Sequence, residues 1–480
     1  MKTTTAMYFK NSIISTKLRF SLLTGAITVL SFVNVHAQSS VEDAFKSIST
    51  SEDLAGASIS CTFMEVLSND VVFSHQPDLL LTPASTMKVL VTRTALEMFG
   101  PDHQFETEVW QQGTISNGTL NGNIVIRGYG DPTLGSPNFK KQDLLSEWVL
   151  ILKKAGINSI SGKIILDEEY FSGEPLAGST PIADGGNYYA AGVHGLNYLD
   201  NTAEVTLSSG TTSGSSVRIT SIFPEIPGME FISEVEASES KQDNAYIFGQ
   251  PFDQRRYIRG TIPKGQKAFK IKAAMSHPAE SLGQAFVDLL NAKGIKVADG
   301  WEIAEQTTIT SGESLLHSEK SPPLSEIIYF TNRKSINLYA ACLLKHIGMK
   351  VSGVGSFESG AEAITLFWQS KGMNTKGLQI KDGSGLSRAN NISTRQLAFV
   401  STYIGEAKEA EYLRSLRPFE GRGSLLVKSG YIDRVRAYTG RTTLHDGREV
   451  AFAVIINNYG CTATEANRIL KKFLKTITKE

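Results

Sequence analysis

The two ends of this chain carry the same kind of structure, and the middle does not. Near the start, "GASISCTFMEVLSNDVVFSHQ" (56–76) reads as two strands around a Ser68-Asn69-Asp70 turn. Met87, Leu90, Val91, Ala95 and Met98 then recur at helical spacing, behind Thr82 as expected N-cap and Pro83 at the first helical position. Near the end, "SLLVKSGYI", "AYTGRTTL" and "EVAFAVIINNY" read as three strands, the last two joined at Asp446-Gly447, a strong hairpin signal. A terminal helix follows, with Ile469, Leu470, Phe473, Leu474 and Ile477 on one side. Together the two ends predict one antiparallel sheet covered by helices.

Residues 106–309 have a different texture, rich in Gly, Ser, Asn and Thr with short β-type runs such as "NGNIVIRGYG", "GKIILDEEYF", "AEVTLSS" and "SVRITSIF". The polar tract "SSGTTSGSS" (208–216) predicts a hairpin tip. The expected class is α+β. A domain made of residues 38–105 and 310–480 is interrupted by a β-rich region at 106–309, which holds two domains with the second nested near 156–270.

Residues 1–37 stand apart as a secretory signal. Lys2, Lys10, Lys17 and Arg19 form a basic leader without an acidic residue, "FSLLTGAITVLSFVNV" follows, and "VHA" ends at Ala37. The apolar run is interrupted and short for a membrane span, so no stable span is expected after cleavage. Without these residues a formally neutral chain becomes one of 443 residues with a net charge of −4. Such a chain is a poor candidate for nucleic acids or anionic membranes. Cys61, Cys342 and Cys461 allow at most one disulfide, and all three sit among apolar residues as small buried hydrophobes. The eight histidines form no ligand spacing, so neither a metal nor another cofactor is expected.

Chemistry concentrates in three short motifs. Ser85 and Lys88 stand one helical turn apart, with Lys88 about 100° around from the apolar Met87. A serine hydroxyl needs a base to become a nucleophile, and a lysine serves when burial lowers its pKa. The spacing alone fits a chance surface pair; it recurs at Ser238–Lys241, in the acidic, polar "EVEASESKQDN". Ser335 and Asn337 follow in "TNRKSINLYA", at a bend entering a helix near Asn337, where a hydroxyl relays a proton and an amide both donates and accepts. Ser136–Asn138 repeats this spacing in a loop with no such role expected. Lys428-Ser429-Gly430 lies on a predicted strand. There a cation and a hydroxyl bind a carboxylate, and the glycine admits another backbone. "DGSGLSRAN" lacks the G-x-S-x-G elbow, and Asp382–Arg388 is read as a loop that shapes the cleft without chemistry of its own.

The order Ser-x-x-Lys on a helix, Ser-x-Asn, then Lys-Ser-Gly on a strand resembles the signature of serine penicillin-recognising enzymes. With the long gap after Lys88 and the stretches "NGNIVIRGYGDPTL", "NYYAAGVHGLNYLDN" and "DGSGLSRANNIS", the chain resembles low-molecular-mass class C penicillin-binding proteins of the penicillin-binding protein 4 type. That resemblance implies a β-lactamase-like catalytic domain and a periplasmic D-Ala-D-Ala carboxypeptidase/endopeptidase. Its partners would be peptidoglycan stem peptides and cross-links, and β-lactams would inhibit it. It further implies Ser85 as nucleophile, Lys88 as base, Ser335 as proton relay, and Asn337, Lys428, Ser429 and Gly430 as substrate contacts. The oxyanion would lie between the backbone N–H groups of Ser85 and Tyr431, and Lys428 would keep Lys88 poised by its charge. Ser429 replaces the usual threonine, and His194 departs from the family pattern in a structural position. Two alternatives stand beside this: a β-lactamase-like hydrolase, which would want a carboxylate for deacylation although no E-x-x-L-N stretch is present, and a catalytically idle cell-wall-binding protein.

Overall fold

The computed structural model describes residues 41–139, 143–250, 253–304, 313–403 and 408–479; the proposed signal segment lies outside them. A six-stranded antiparallel sheet joins the two ends of the chain. Its order is Arg417–Phe419, Arg422–Ile432, Val435–Thr443, Glu449–Asn457, Ser58–Glu65 and Val71–His75. The seam between the ends runs in unbroken register from Ser58 opposite Asn457 to Glu65 opposite Val450.

Both faces of this sheet are covered, so its central strand is apolar throughout instead of alternating with polar residues. On Glu449–Asn457, Val450, Phe452, Val454 and Ile456 pack under the terminal helix Ala463–Ile477 and the helix over 41–49. Ala453 and Ile455 point the other way, into a core built with the helices Met87–Phe99, Asn337–Ser352 and Thr394–Thr402. The terminal helix buries Ile469, Leu470, Phe473, Leu474 and Ile477, the stripe read from its sequence.

Between the two halves lie further sheets. A seven-stranded mixed sheet contains Glu106–Ser116 and Thr119–Gly128, with Ile164–Asp167 parallel to the latter, and packs against helices Leu144–Lys154 and Pro278–Ala292. Two three-stranded sheets share a small apolar core that includes Val205, Val235, Ile247 and Ile258. One of them holds Thr202–Ser208 against Arg218–Phe223, so residues 208–216 do turn a hairpin.

Strand pairing moves two sequence-based borders. Glu313–Lys320 pairs with Glu106–Ser116, so the inserted sheet continues past residue 309. Ser159–Ile160 and Ile164–Asp167 belong to the seven-stranded sheet, so the nested strands begin at Thr202 and not near 156. Short strands beside Gly-rich turns look alike in sequence whichever sheet they join. Two smaller readings also change. Thr82 caps no helix; a 3-10 turn over Ala84–Thr86 precedes the helix, and the Thr82 hydroxyl donates instead to the Arg388 carbonyl at 3.2 Å. Cys61 and Cys342 are buried free thiols, whereas Cys461 is half-buried.

Candidate active site

Ser85 sits in a turn that only a particular backbone permits. Ala84 has φ 48°, an uncommon conformation for a residue with a side chain. Two glycines make room for that turn. A Cβ on Gly385 would fall 1.8 Å from the Ala84 carbonyl, and one on Gly430 would fall 2.6 Å from the Pro83 carbonyl and 3.1 Å from the Ser85 nitrogen. The nucleophile turn is therefore wedged between the 382–388 loop and the strand Arg422–Ile432, with the Thr86 hydroxyl tying it to the Pro83 carbonyl at 2.7 Å.

One turn on, Lys88 is fully buried. Its Nζ donates to Ser85 Oγ at 3.0 Å, Asn337 Oδ1 at 2.6 Å and the Ser384 carbonyl at 2.6 Å. An ammonium has three N–H donors, and three acceptors surround this one. Burial lowers its pKa to about 7, against the opposing pull of the Asp382 carboxylate. The group therefore exchanges its proton near neutrality while already touching the serine hydroxyl.

Ser335 (φ 58°) occupies the bend between helices Leu324–Arg333 and Asn337–Ser352, and its hydroxyl accepts from Lys428 Nζ at 2.9 Å. Lys428 is buried too, and burial followed by the charges of Lys88 and Arg417 pushes its pKa well below the usual lysine value. For Lys88 itself desolvation is the leading cause. Asn337 uses both ends of its amide: Oδ1 accepts from Lys88, and Nδ2 donates to the Tyr189 carbonyl at 2.6 Å. In this state the amide holds Lys88 and ties the inserted region to the cleft. Gly430 shares the buried pleat with Lys428. Ser429 is exposed, and its hydroxyl makes no hydrogen bond among the described residues.

The cleft encloses about 710 Å³ and is lined by Ser85, Ser335, Asn337 and Tyr431, among others. Lys88 and Lys428 stand behind this surface. Three separate motifs are thus brought together, whereas their sequence twin is not: Ser238 ends an inserted strand, where its hydroxyl accepts from the Ser240 nitrogen. His194 is buried against Glu168, outside the cleft.

Two contributors had weaker signals. Asp382 accepts from the backbone nitrogens of Ser384 (2.8 Å), Gly385 (2.6 Å) and Ser387 (2.6 Å), which fixes the carbonyl that holds Lys88. The reading of this loop as mere shape is corrected by that contact. An Asp followed by Gly-Ser-Gly was the available clue, since such a carboxylate gathers the N–H groups of a tight turn. Asn138, dismissed in sequence, lines the same cleft. Among the described residues no three His, Cys, Asp or Glu side chains could hold a metal ion, and no helix is long and apolar enough to cross a membrane.

Known proteins resemble this chain in sequence and fold. The profile of the D-Ala-D-Ala carboxypeptidase 3 (S13) family matches residues 41–479. The chain is 25% identical over 471 residues to the D-alanyl-D-alanine carboxypeptidase DacB of Haemophilus influenzae, covering 94% of each. It is 23% identical over 439 residues to the D-alanyl-D-alanine carboxypeptidase of Actinomadura sp. (strain R39), covering 85% of this chain and 79% of that one. Its fold matches the crystal structure of penicillin binding protein 4 (dacB) from H. influenzae, with a TM-score of 0.76 at 23% identity over 90% of this chain and 97% of the other. The same protein complexed with a novel β-lactam gives a TM-score of 0.70 at 22% identity, over 91% and 98%. With a match across nearly all described residues and a buried lysine on the serine at its centre, the chain belongs to the D-Ala-D-Ala carboxypeptidase 3 (S13) family of serine-type D-Ala-D-Ala peptidases.

Proposed function

We propose that this protein hydrolyses the D-Ala-D-Ala bond of peptidoglycan stem peptides, and D-Ala cross-links between them, through an acyl-enzyme on Ser85. The observation that carries the reading is the Lys88 amine, buried, titrating near pH 7 and 3.0 Å from Ser85 Oγ. In its neutral form Lys88 takes the hydroxyl proton as Ser85 Oγ bonds to the carbonyl carbon. The tetrahedral oxyanion is met by the backbone N–H groups of Ser85 and Tyr431, a pairing supported by the close approach of Gly430 to the Ser85 nitrogen. As the C–N bond breaks, the proton that Lys88 took from Ser85 passes through the Ser335 hydroxyl, held by Lys428 at 2.9 Å, to the leaving amine, which returns Lys88 to its neutral form. Lys428 and Ser429 meet the terminal carboxylate, and Asn337 exchanges its Tyr189 contact for the substrate backbone. Water, deprotonated by Lys88, then attacks the ester and frees Ser85.

β-Lactams enter by the same acylation, in line with the β-lactam bound to the H. influenzae relative. The reading includes export: residues 1–37 direct the chain out of the cytoplasm and are removed after Ala37, leaving a periplasmic enzyme. It also includes a two-part catalytic domain split by inserted sheets.

Labelled penicillin tests the reading. Stable covalent label is expected on the wild type and on Ser238→Ala, and none on Ser85→Ala. Release of D-alanine from a D-Ala-D-Ala muropeptide is expected to vanish with the label. Rapid turnover of the label would point to a β-lactamase instead, and absence of label on the wild type to an idle wall-binding protein.

A further inference from the structure

A second group of charges lines the cleft beside Ser335, and the mechanism above does not use it. Lys334, immediately before Ser335, is exposed and donates from Nζ to Asn138 Oδ1 at 2.8 Å. Asn138 is itself fixed, with Nδ2 donating to Asp200 Oδ2 at 3.0 Å. Asp200 is 9% exposed, and its other oxygen accepts from the Tyr339 hydroxyl at 2.7 Å. Tyr339 is fully buried on the Asn337–Ser352 helix, so the chain of contacts anchors Lys334 to the core.

Lys272 lines the same cleft from the inserted strand Phe269–Ala274. Its strand neighbour Lys270 pairs with Glu204 at 2.8 Å, whereas Lys272 is exposed and has no ion-pair partner among the described residues. Both lysines act on the same acid. Burial raises the Asp200 pKa, while hydrogen bonds from Ser136 and Tyr339 and the charges of Lys272 and Lys334 hold it down. Two cations therefore act on one recessed carboxylate whose oxygens are engaged; of the other acids lining the cleft, Asp433 pairs with Arg388 and Asp184 accepts from the Tyr189 hydroxyl.

We infer that Lys272 and Lys334 form an anion-binding subsite for the carboxylates of the leaving stem peptide of a cross-linked substrate. The inference rests on the proposed mechanism, in which Ser335 protonates the leaving amine; the leaving group then lies beside Ser335 and next to Lys334. A carboxypeptidase substrate releases only free D-alanine, whose single carboxylate is met at Lys428. A cross-link releases a whole second stem peptide with further carboxylates, which extends past Ser335 toward the two lysines. The subsite thus favours the endopeptidase substrate through ordinary charge complementarity.

The test compares wild type with the Lys272→Gln, Lys334→Gln double variant on three substrates. These are a monomer ending in D-Ala-D-Ala, a dimer cross-linked through D-Ala, and the same dimer with every carboxylate of its leaving stem amidated except the one beside the scissile bond. The ratio of dimer to monomer kcat/KM is expected to fall about tenfold in the double variant, chiefly through KM. Amidation is expected to cost the wild type a similar factor and the double variant nothing more, because both changes remove one interaction. An unchanged ratio, an amidated dimer cut as well as the charged one by wild type, or a wild type that cuts monomers but no dimers would overturn the inference. Failure of wild type to take covalent penicillin on Ser85 would instead overturn the mechanism beneath it.

Discussion

On the nested strands, Arg255 and Arg259 lie directly across from Glu230 and Glu234 and pair with them at 2.9 and 2.6 Å, with every partner open to solvent. In the catalytic cleft, Lys88 and Lys428 are 0% and 2% exposed and have hydroxyl, amide and carbonyl oxygens for neighbours in place of carboxylates. A cation paired in water keeps its charge and adds little stability. One that is stripped of water and given neutral acceptors holds its proton less firmly, and Lys88, lowered to about 7, can then serve as a base. The sheet that carries ordinary ion pairs and the cleft that carries chemistry differ in solvation more than in residue type.

The contrast can be broken at several points. Lys88→Met keeps the length and burial but removes the base, and acylation by labelled penicillin is expected to slow about 10³-fold while circular dichroism stays unchanged. Survival of more than a tenth of the rate would mean that another group deprotonates Ser85. Gly430→Ala inserts a Cβ at 2.6 Å from the Pro83 carbonyl. Displacing the nucleophile turn by that contact is expected to cost about 10² in acylation rate, with a smaller loss of thermal stability.

Asp382→Asn probes solvation and charge together. Lys88 must be neutral to accept a proton, so acylation by the wild type is expected to rise as pH climbs through about 7. The Asp382 charge raises that pKa, so its removal moves the rising limb to lower pH. Loosening of the loop also lowers the plateau about tenfold. A limb that stays in place, or moves to higher pH, would exclude Asp382 as the charge Lys88 feels. The smallest effect belongs to the nested sheet: Arg259→Ala is expected to leave the melting temperature within about 2 °C of wild type and acylation unchanged.

Side chains that do chemistry were legible because their identities are written in the sequence. Ser85, Lys88, Ser335, Asn337, Lys428 and Gly430 all meet at one place, although the last lies more than 300 residues from the first. The terminal strands and helix were legible for the same reason, since Val450, Phe452 and Phe473 carry their burial in their composition. What escaped was written in the backbone. The Ser384 and Tyr189 carbonyls that engage Lys88 and Asn337 would be carbonyls whatever residue stood there. Positive φ at Ala84 and Ser335 likewise leaves no trace in residue type. The Thr82 cap failed because a 3-10 turn intervenes before the helix, and Asn138 was missed because its importance comes from Asp200, 62 residues on.

The seam between Ser58–Glu65 and Glu449–Asn457 governs when this protein can act. Ser85 is made early, and the strand that carries Lys428 and the strand that completes the seam come more than 300 residues later. Until residue 457 has been made and has found its partner, Lys88 has no sealed pocket to shed its charge in, and Ser85 is an unremarkable alcohol. The sealed pocket around Lys88 is thus a joint product of segments almost 400 residues apart, held together by one strand seam.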